Sequence, residues 1–548
     1  MTELILKLIG DALKRLGIEP PEIEVEVPKD PALGDLSTPV AMSLAKTLKK
    51  PPRKIAEEIV ANLSEAEKYF AKVEIAGAGF INFTLKPEFI YENLKELLSE
   101  REKILRKDVG QGKRILIEFV SANPTGPLHL GHGRGAAVGA ALSNLLSSAG
   151  FNVVKEFYVN DAGKQVMLLG KSVFARYQNL MGLEYPFPEE GYRGGYVEDI
   201  AKNIASEFGD KYKGADLSQA LEFFRDYSCD KMLSLIKEDL EAFGVTFDSW
   251  QSERELYEKG VVKDTIEYLK SKGFAYEKEG ALWFNSERFG DEKDRVLIKS
   301  DGEYTYFAPD IAYHKKKVDA GYYELINIWG ADHHGYIPRM KAALEALGYD
   351  KEHLKVLLVQ IVSLLRGGKP VQMSKRAGEF VTLKEVMEEV GADTTRFIFL
   401  TRRPDSHLEF DLEVAKAQSA ENPVFYIQYA FARIGSLFRH AVMERGLDVG
   451  FAVNADLNLL REPEELTLIK KILLYPMVFA SAVKAREPHR ITYYLQELSG
   501  LFHPYYNKHR IVLDDMELTE ARLALMDAIA LVLKEGLSIL GITAPARM

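Results

Sequence analysis

Residues 114 to 150, RILIEFVSANPTGPLHLGHGRGAAVGAALSNLLSSAG, decide the fold. The apolar run from Ile115 to Val120, flanked by turn formers, predicts a buried strand. Ala136, Ala137, Ala140, Leu142, Leu145 and Leu146 predict a helix, with Gly150 as its C-terminal cap. Between the two lies a Pro/Gly loop that ends at the tetrad His129-Leu130-Gly131-His132. A loop entering a helix offers unpaired N–H groups and a positive dipole end, which suits a phosphate. Glycines at 131, 133 and 135 predict close approach of a ligand to the backbone. Two imidazoles at that point can donate to phosphate oxygens as charge shifts during a displacement. The stretch therefore predicts a nucleoside triphosphate site. The competing reading is a plain Pro-Thr-Gly-Pro turn whose histidines only cap a helix. The sequence has neither a P-loop nor a glycine-rich dinucleotide fingerprint, which argues against those two modes of nucleotide binding.

A second segment, GGKPVQMSKRAG from Gly367 to Gly378, is glycine-flanked and rich in cations. A lysine there is a compact, flexible charge suited to departing phosphates; alone, the segment also reads as a solvated basic turn. Two further stretches join these: YVNDAG, from Tyr158 to Gly163, and GADHHGY, from Gly330 to Tyr336. Together the tetrad and the lysine segment resemble the HIGH and KMSKS elements of class I aminoacyl-tRNA synthetases. With SANPTGPLHLGH, YVNDAG and GADHHGY, the chain resembles arginyl-tRNA synthetases over essentially its whole length. The resemblance implies an α/β protein: a class I, Rossmann-like core with a parallel sheet, an N-terminal α/β domain and an all-helical C-terminal domain.

Composition agrees with several domains in one soluble chain. At 548 residues the chain is too long for a single core, and 47% hydrophobic with 28% charged residues is ordinary for a globular protein. No apolar run is expected to span a bilayer, and the N-terminus reads as an amphipathic helix and not as a secretory signal. The single cysteine, Cys229, excludes an internal disulfide and a multi-cysteine zinc site. The expected compartment is the cytoplasm. A net charge of −10 confines any nucleic-acid contact to local basic faces. The candidates are Lys46 to Lys54, Lys315 to Lys317, and Arg402 with Arg403, each of which also reads as a solvated face.

Residues 1 to about 106 form a first unit, with helical patterns at 2–16, 36–49 and 52–64, the strand-like VEIAGAGFINFTL and a helix from about 87. Lys107 to Lys113 reads as the linker. From 107 to about 400, strand candidates ILIEFV, NVVKEFYV, ELINIWG and VLLVQIV alternate with helices, the pattern of a parallel sheet. The interval from about 165 to 290 reads as a mainly helical insertion ending in GALWFN and RVLIKS. From 401 to 548 the pattern is helical, at 411–445, 464–486, 489–508 and 517–541. Ligands of open sheets bind at strand carboxyl ends near the switch point, which here means the loops after Val120 and Ile328.

Selecting arginine requires a carboxylate for the planar guanidinium. Glu118 and Asp310 are the candidate acids; Glu118 otherwise needs a partner or a solvated face, and Asp310 otherwise reads as an N-cap. The resemblance places Asp310 and Tyr306 on the guanidinium, and Asn123, Glu118 and His333 around the rest of arginine. It places ATP against Ala122, Pro124, Thr125, Gly126, Pro127, Leu128, Leu130, Gly131, Gly330, Asp332, Met373 and Ser374. It makes His129, His132 and Lys375 catalytic. Gln372-Met373-Ser374-Lys375-Arg376 lacks the motif's first lysine, so Lys369, Arg376 and Lys113 are possible substitutes. Adjacent His333 and His334 do not converge on one ion, so protein-bound zinc is not expected; magnesium is expected on ATP. In the C-terminal helices, aromatics beside cations are candidate base contacts, each aromatic also reading as helix-packing core: Phe425, Tyr426, Tyr429 and Arg433, then Tyr505, Tyr506, Asn507 and Arg510. Of these, Tyr429, Arg433, Tyr506 and Asn507 are the tRNA candidates. The resemblance implies arginine, ATP and an arginine-accepting tRNA as partners, an anticodon-binding C-terminal domain, an N-terminal domain at the tRNA elbow, and a monomer. A nucleotidyltransferase, a non-catalytic RNA-binding protein or another class I synthetase are the alternatives.

Overall fold

The computed structural model describes residues 1–371, 381–446 and 454–548. Its strands, in chain order, are β1 Leu36–Thr38, β2 Phe70–Ala76, β3 Phe80–Leu85, β4 Arg114–Glu118, β5 Asn152–Val159, β6 Ser249–Ser252, β7 Ala275–Lys278, β8 Ala281–Phe284, β9 Arg295–Ile298, β10 Glu324–Gly330, β11 Leu354–Val359, β12 Val362–Arg366, β13 Lys369–Pro370 and β14 Leu408–Asp411. Five parallel strands make the central sheet in the order β11-β10-β4-β5-β6. The chain builds outward from β4 through β5 to β6 on one side, and through β10 to β11 on the other. The switch point therefore lies between β4 and β10, where Glu118 stands opposite Asn327.

Burial explains the local choices. Ile115, Leu116 and Ile117 in β4 are buried, as both faces of a parallel sheet are covered. The helix Leu130–Ser148 lies so close to the sheet that a Cβ on Gly139 would fall 2.2 Å from the Phe119 ring. That helix ends at Ala149, and Gly150, at φ +84°, turns the chain back into β5.

The predicted elements recur with specific changes. Leu36–Thr38, read as the start of a helix, is strand β1, antiparallel to β3; the helix begins at Val40. Within the interval read as an insertion, the helices Lys164–Leu180, Gly195–Phe208 and Leu217–Ala242 pack around their own core of Leu169, Phe174, Val197 and Phe224. The segment Ser249–Ser252 then rejoins the main sheet as its edge strand. An SWQS edge strand has almost no apolar pattern to announce it. VLLVQIV, read as one strand, divides at Gln360: β11 belongs to the central sheet and β12 to a separate sheet, β13-β12-β14. Arg134 explains the break. It is fully buried, and its guanidinium donates to the carbonyls of Gln360 at 2.9 Å, Ser406 at 2.8 Å and Arg403 at 2.8 Å.

The C-terminal helices are Pro423–Arg445, Pro463–Leu473, Tyr475–Ala485, His489–Lys508 and Met516–Leu540. The pattern read at 464–486 is two helices, with Pro476 at the start of the second. Contrary to the sequence reading, the stretch Pro463–Ala485 is long and apolar enough to cross a bilayer by composition. Here Leu468, Ile469, Ile472, Phe479 and Val483 are buried in the protein's own core. Several contacts hold the units together, among them three made by arginines. Arg106 forks onto Glu535 with two 2.7 Å bonds, and Arg101 meets Asp527 at 2.8 Å. Arg396 donates to Phe243 and Gly244 carbonyls beyond one helix and to Leu540 at the end of another.

Candidate active site

His129 is the N-cap of the helix Leu130–Ser148. Its Nδ1 accepts from the backbone of Gly131 at 3.0 Å, while Nδ1 of His132 accepts from the His129 N–H at 3.4 Å. The rings stack with centroids 3.7 Å apart. With Nδ1 of each ring an acceptor, the neutral tautomer carries its proton on Nε2. Burial lowers the pKa of His129, and burial with the neighbouring His129 lowers that of His132 to about 3. Both are therefore neutral donors near pH 7. Capping and phosphate donation, which the sequence presented as alternatives, use different nitrogens. Two of the nearby glycines also serve the protein's own packing. A Cβ on Gly131 would meet the His129 ring at 2.9 Å, and one on Gly133 would meet Leu383 at 2.6 Å. Gly131 and Gly133 thus leave room for protein side chains, whereas Gly135 faces open space.

The loop after β4 begins with two left-handed residues, Val120 at φ +67° and Ser121 at φ +41°. Ala122, Pro124, Thr125, Leu128 and Leu130 are buried, Gly126, Pro127 and Gly131 half-buried, and Asn123 exposed. Leu128 and Leu130 are core side chains, so only their backbones are available to a nucleotide. The helical module grips this loop: Tyr196 donates to the Thr125 carbonyl at 2.7 Å, and Asn123 donates to Gln165 at 2.7 Å. Neither Tyr196 nor Gln165 stood out in the sequence.

Asp310 lies in the first turn of the helix Phe307–Asp319, whose N-cap is Tyr306. Its carboxylate does not cap that helix; it accepts from the Tyr336 hydroxyl at 2.5 Å. Burial pushes its pKa up to about 7, against the pull of the Tyr336 hydrogen bond and with added repulsion from Glu253 and Glu118. Glu253, buried on the helix Glu253–Glu258, is raised by burial as well. The Tyr158 hydroxyl, buried beside Glu253, closes no hydrogen bond of good geometry. Asp310, Glu253 and the Tyr158 hydroxyl lie within electrostatic reach of one another, an acid-rich surrounding suited to a planar cation. Tyr306 is exposed at its mouth, stacked 5.7 Å from Tyr336. Glu253 had no sequence signal, because its partners lie far away in the chain.

Glu118 is buried and paired with Lys317 at 2.5 Å, so its own cation is internal. At the end of β10, Gly330, Asp332 and His333 are exposed, with His333 at 3.8 Å from Asp332. Met373, Ser374, Lys375 and Arg376 lie outside the described residues. The chain on either side is anchored: Val371 donates to Leu364 at 2.9 Å, Thr382 bridges to His129, and Leu383 donates to Leu128 at 2.8 Å. The downstream flank thus belongs to the histidine site's surroundings. Glu462, Glu464 and His509 form a ligand-like grouping in the C-terminal helices, with Lys508 already on Glu464.

The four C-terminal candidates converge. Arg433 lies over Tyr506 at 4.2 Å and over Tyr429 at 5.3 Å, and donates to Asn507 at 2.9 Å. Tyr429 stacks on His503 and Phe425. Tyr505, in contrast, is core, bonded to Glu465 at 3.0 Å.

Comparison with known proteins gives this arrangement its class. Residues 93–411 match the model described as tRNA synthetases class I (R), catalytic domain; residues 3–85 match the arginyl tRNA synthetase N terminal domain, and 427–548 the DALR anticodon binding domain. The catalytic part is that of a class I aminoacyl-tRNA synthetase, and the chain is an enzyme. The chain is 50% identical over 531 residues to the arginine–tRNA ligase of Citrifermentans bemidjiense, covering 97% of this chain and 96% of that one. It is 47% identical over 554 residues to that of Geobacillus thermodenitrificans, covering 100% and 99%. The Thermus thermophilus arginyl-tRNA synthetase structure shares the fold, with a TM-score of 0.79 at 24% identity over 100% of both chains. The chain belongs to the arginyl-tRNA synthetase family.

Proposed function

We propose a division of labour for the family's reaction, in which arginine and ATP give arginyl-adenylate and pyrophosphate, and arginine then passes to the 3′ end of its tRNA. The observation that supports the assignment is the Asp310 carboxyl, engaged by the Tyr336 hydroxyl and repelled by Glu253 and Glu118. A bound guanidinium supplies the counter-charge that favours ionised Asp310. Asp310 and Tyr306 hold the guanidinium, joined by Glu253; Asn123, Glu118 and His333 surround the remainder of arginine. The loop Ala122 to Gly131, with Gly330 and Asp332, receives ATP, as do Met373 and Ser374.

The arginine carboxylate attacks the α-phosphorus, and the bond to the bridging oxygen of pyrophosphate breaks. No enzymic nucleophile is needed, so catalysis is positioning and charge stabilisation. Nε2–H of His129 and of His132 donates to the phosphate oxygens, and Lys375 takes up charge on the departing pyrophosphate. Magnesium arrives on the ATP phosphates. In the second step the tRNA's terminal ribose hydroxyl attacks the acyl carbon and adenylate leaves. Tyr429, Arg433, Tyr506 and Asn507 engage the tRNA. We assign residues 1–106 to the tRNA-contacting N-terminal domain, 107–400 to the catalytic domain and 401–548 to anticodon binding, in a cytoplasmic monomer. ATP–pyrophosphate exchange with each amino acid, with and without tRNA, tests the whole: arginine alone should support exchange, and exchange with another amino acid would overturn the pocket.

A further inference from the structure

We propose that Lys317 is a positioning residue that fixes the nucleotide loop relative to the arginine pocket; this rests on the reading of those two sites given above. Lys317, in the last turn of the helix Phe307–Asp319, is buried, its ammonium 3.9 Å from the centre of the Tyr313 ring. It sits at the middle of a polar chain that crosses the switch point of the sheet. On one side its Nζ donates to Glu118 Oε2 at 2.5 Å, at the end of β4. Glu118 Oε1 accepts from the Ser121 hydroxyl at 3.0 Å, and Ser121 Oγ accepts from the Tyr158 backbone N–H at 3.1 Å. On the other side Nζ reaches Asn327 Oδ1 at 3.5 Å, in β10. The Asn327 amide meets His314 Nε2 at 2.7 Å, and His314 Nδ1 meets the Asp310 carbonyl at 2.8 Å.

The two ends of this chain are the places where position matters. Val120 and Ser121 are consecutive left-handed residues, and a β-branched valine resists that conformation. Backbone strain persists only where surrounding contacts over-determine it. Here the contacts are those of Ser121 with Glu118 and Tyr158, and they hold only while Glu118 is a fixed carboxylate. Lys317 supplies the fixing charge. The same lysine, through Asn327 and neutral His314, is tied to the turn that carries Asp310. One buried relay therefore sets both the loop that starts at Ala122 and the acid that receives arginine. Lys317 touches neither substrate.

The test is a double-mutant cycle with Lys317→Met and Ser121→Ala, read by ATP–pyrophosphate exchange at saturating arginine and ATP with tRNA present, with thermal unfolding followed in parallel. We expect each single variant to lower kcat at least tenfold at a temperature where it is folded. The double variant should be no slower than the slower single variant, because both cut the same relay. Effects that multiply, or wild-type kcat in either folded single variant, would overturn the proposal. Where Lys317→Met is not recovered folded, Asn327→Ala takes its place in the cycle. Absence of arginine-dependent exchange in the wild type would instead count against the site assignment on which the relay rests.

Discussion

The hydroxyl of Tyr336 donates to the carboxylate of Asp310 at 2.5 Å, yet that carboxyl still has a pKa pushed up to about 7. Desolvation outweighs the hydrogen bond, and Glu253 and Glu118 add repulsion. The pocket is thus incomplete electrostatically until a cation enters it, a direct link between burial and specificity.

The pH dependence of arginine binding follows. With its folded pKa raised, Asp310 is protonated in the free protein below about pH 7. A guanidinium binds the ionised form, so binding below that pH must expel a proton. Affinity should rise as pH rises towards about 7, by up to about tenfold per unit, and level off above it. Calorimetry of arginine binding at pH 6 in two buffers of different ionisation heat should register proton release. No release would contradict the assignment of an acid-rich pocket.

His132 offers a kinetic check. Its Nε2–H is assigned a contact made in the transition state, so His132→Ala should slow adenylate formation by about 10²-fold, roughly 3 kcal/mol, with arginine binding unchanged. With a pKa of about 3, the imidazole contributes no limb to the rate profile between about pH 5 and 8. An unchanged single-turnover rate in the variant would remove His132 from the site.

Arg433 separates nucleic-acid binding from chemistry. Its position between Tyr429 and Tyr506 predicts that Arg433→Ala weakens tRNA about tenfold, roughly 1.4 kcal/mol, and leaves arginine binding alone. Fluorescence anisotropy with labelled tRNA measures the first and calorimetry the second. Equal tRNA affinity in the variant would make the cluster a packing feature.

Arg396 predicts stability. It is fully buried and satisfies carbonyls of Phe243, Gly244 and Leu540. Arg396→Met leaves those acceptors unpaired, with an expected loss of about 2–4 kcal/mol. A thermal melt should fall by several degrees, and an unchanged melting temperature would argue that water replaces the guanidinium.

What the sequence made legible was local. The strand, loop and paired histidines from Arg114 to Gly150 follow from pattern and turn chemistry within one short stretch. The four tRNA candidates came from aromatics beside cations in two helices, and the fold brings them together. The remainder depended on distance along the chain. Lys317 sat in a basic run that read as a solvated face, yet it is buried against Glu118, while Lys315 pairs with Asp319 and Lys316 reaches Gln251. Glu118 lies 199 positions away from Lys317. Glu253 and Tyr158 meet Asp310 only after β5 and the helix Glu253–Glu258 are in place. Edge strand β6 carries too few apolar residues to be read.

The most direct measurement is the arginine KM and kcat of Asp310→Asn in ATP–pyrophosphate exchange, with Glu253→Gln beside it. Removing one charge from a buried pair should raise the arginine KM on the order of 10² to 10³-fold, about 3–5 kcal/mol, with the ATP KM little changed. A wild-type arginine KM in Asp310→Asn would contradict the central claim that this carboxylate receives the guanidinium.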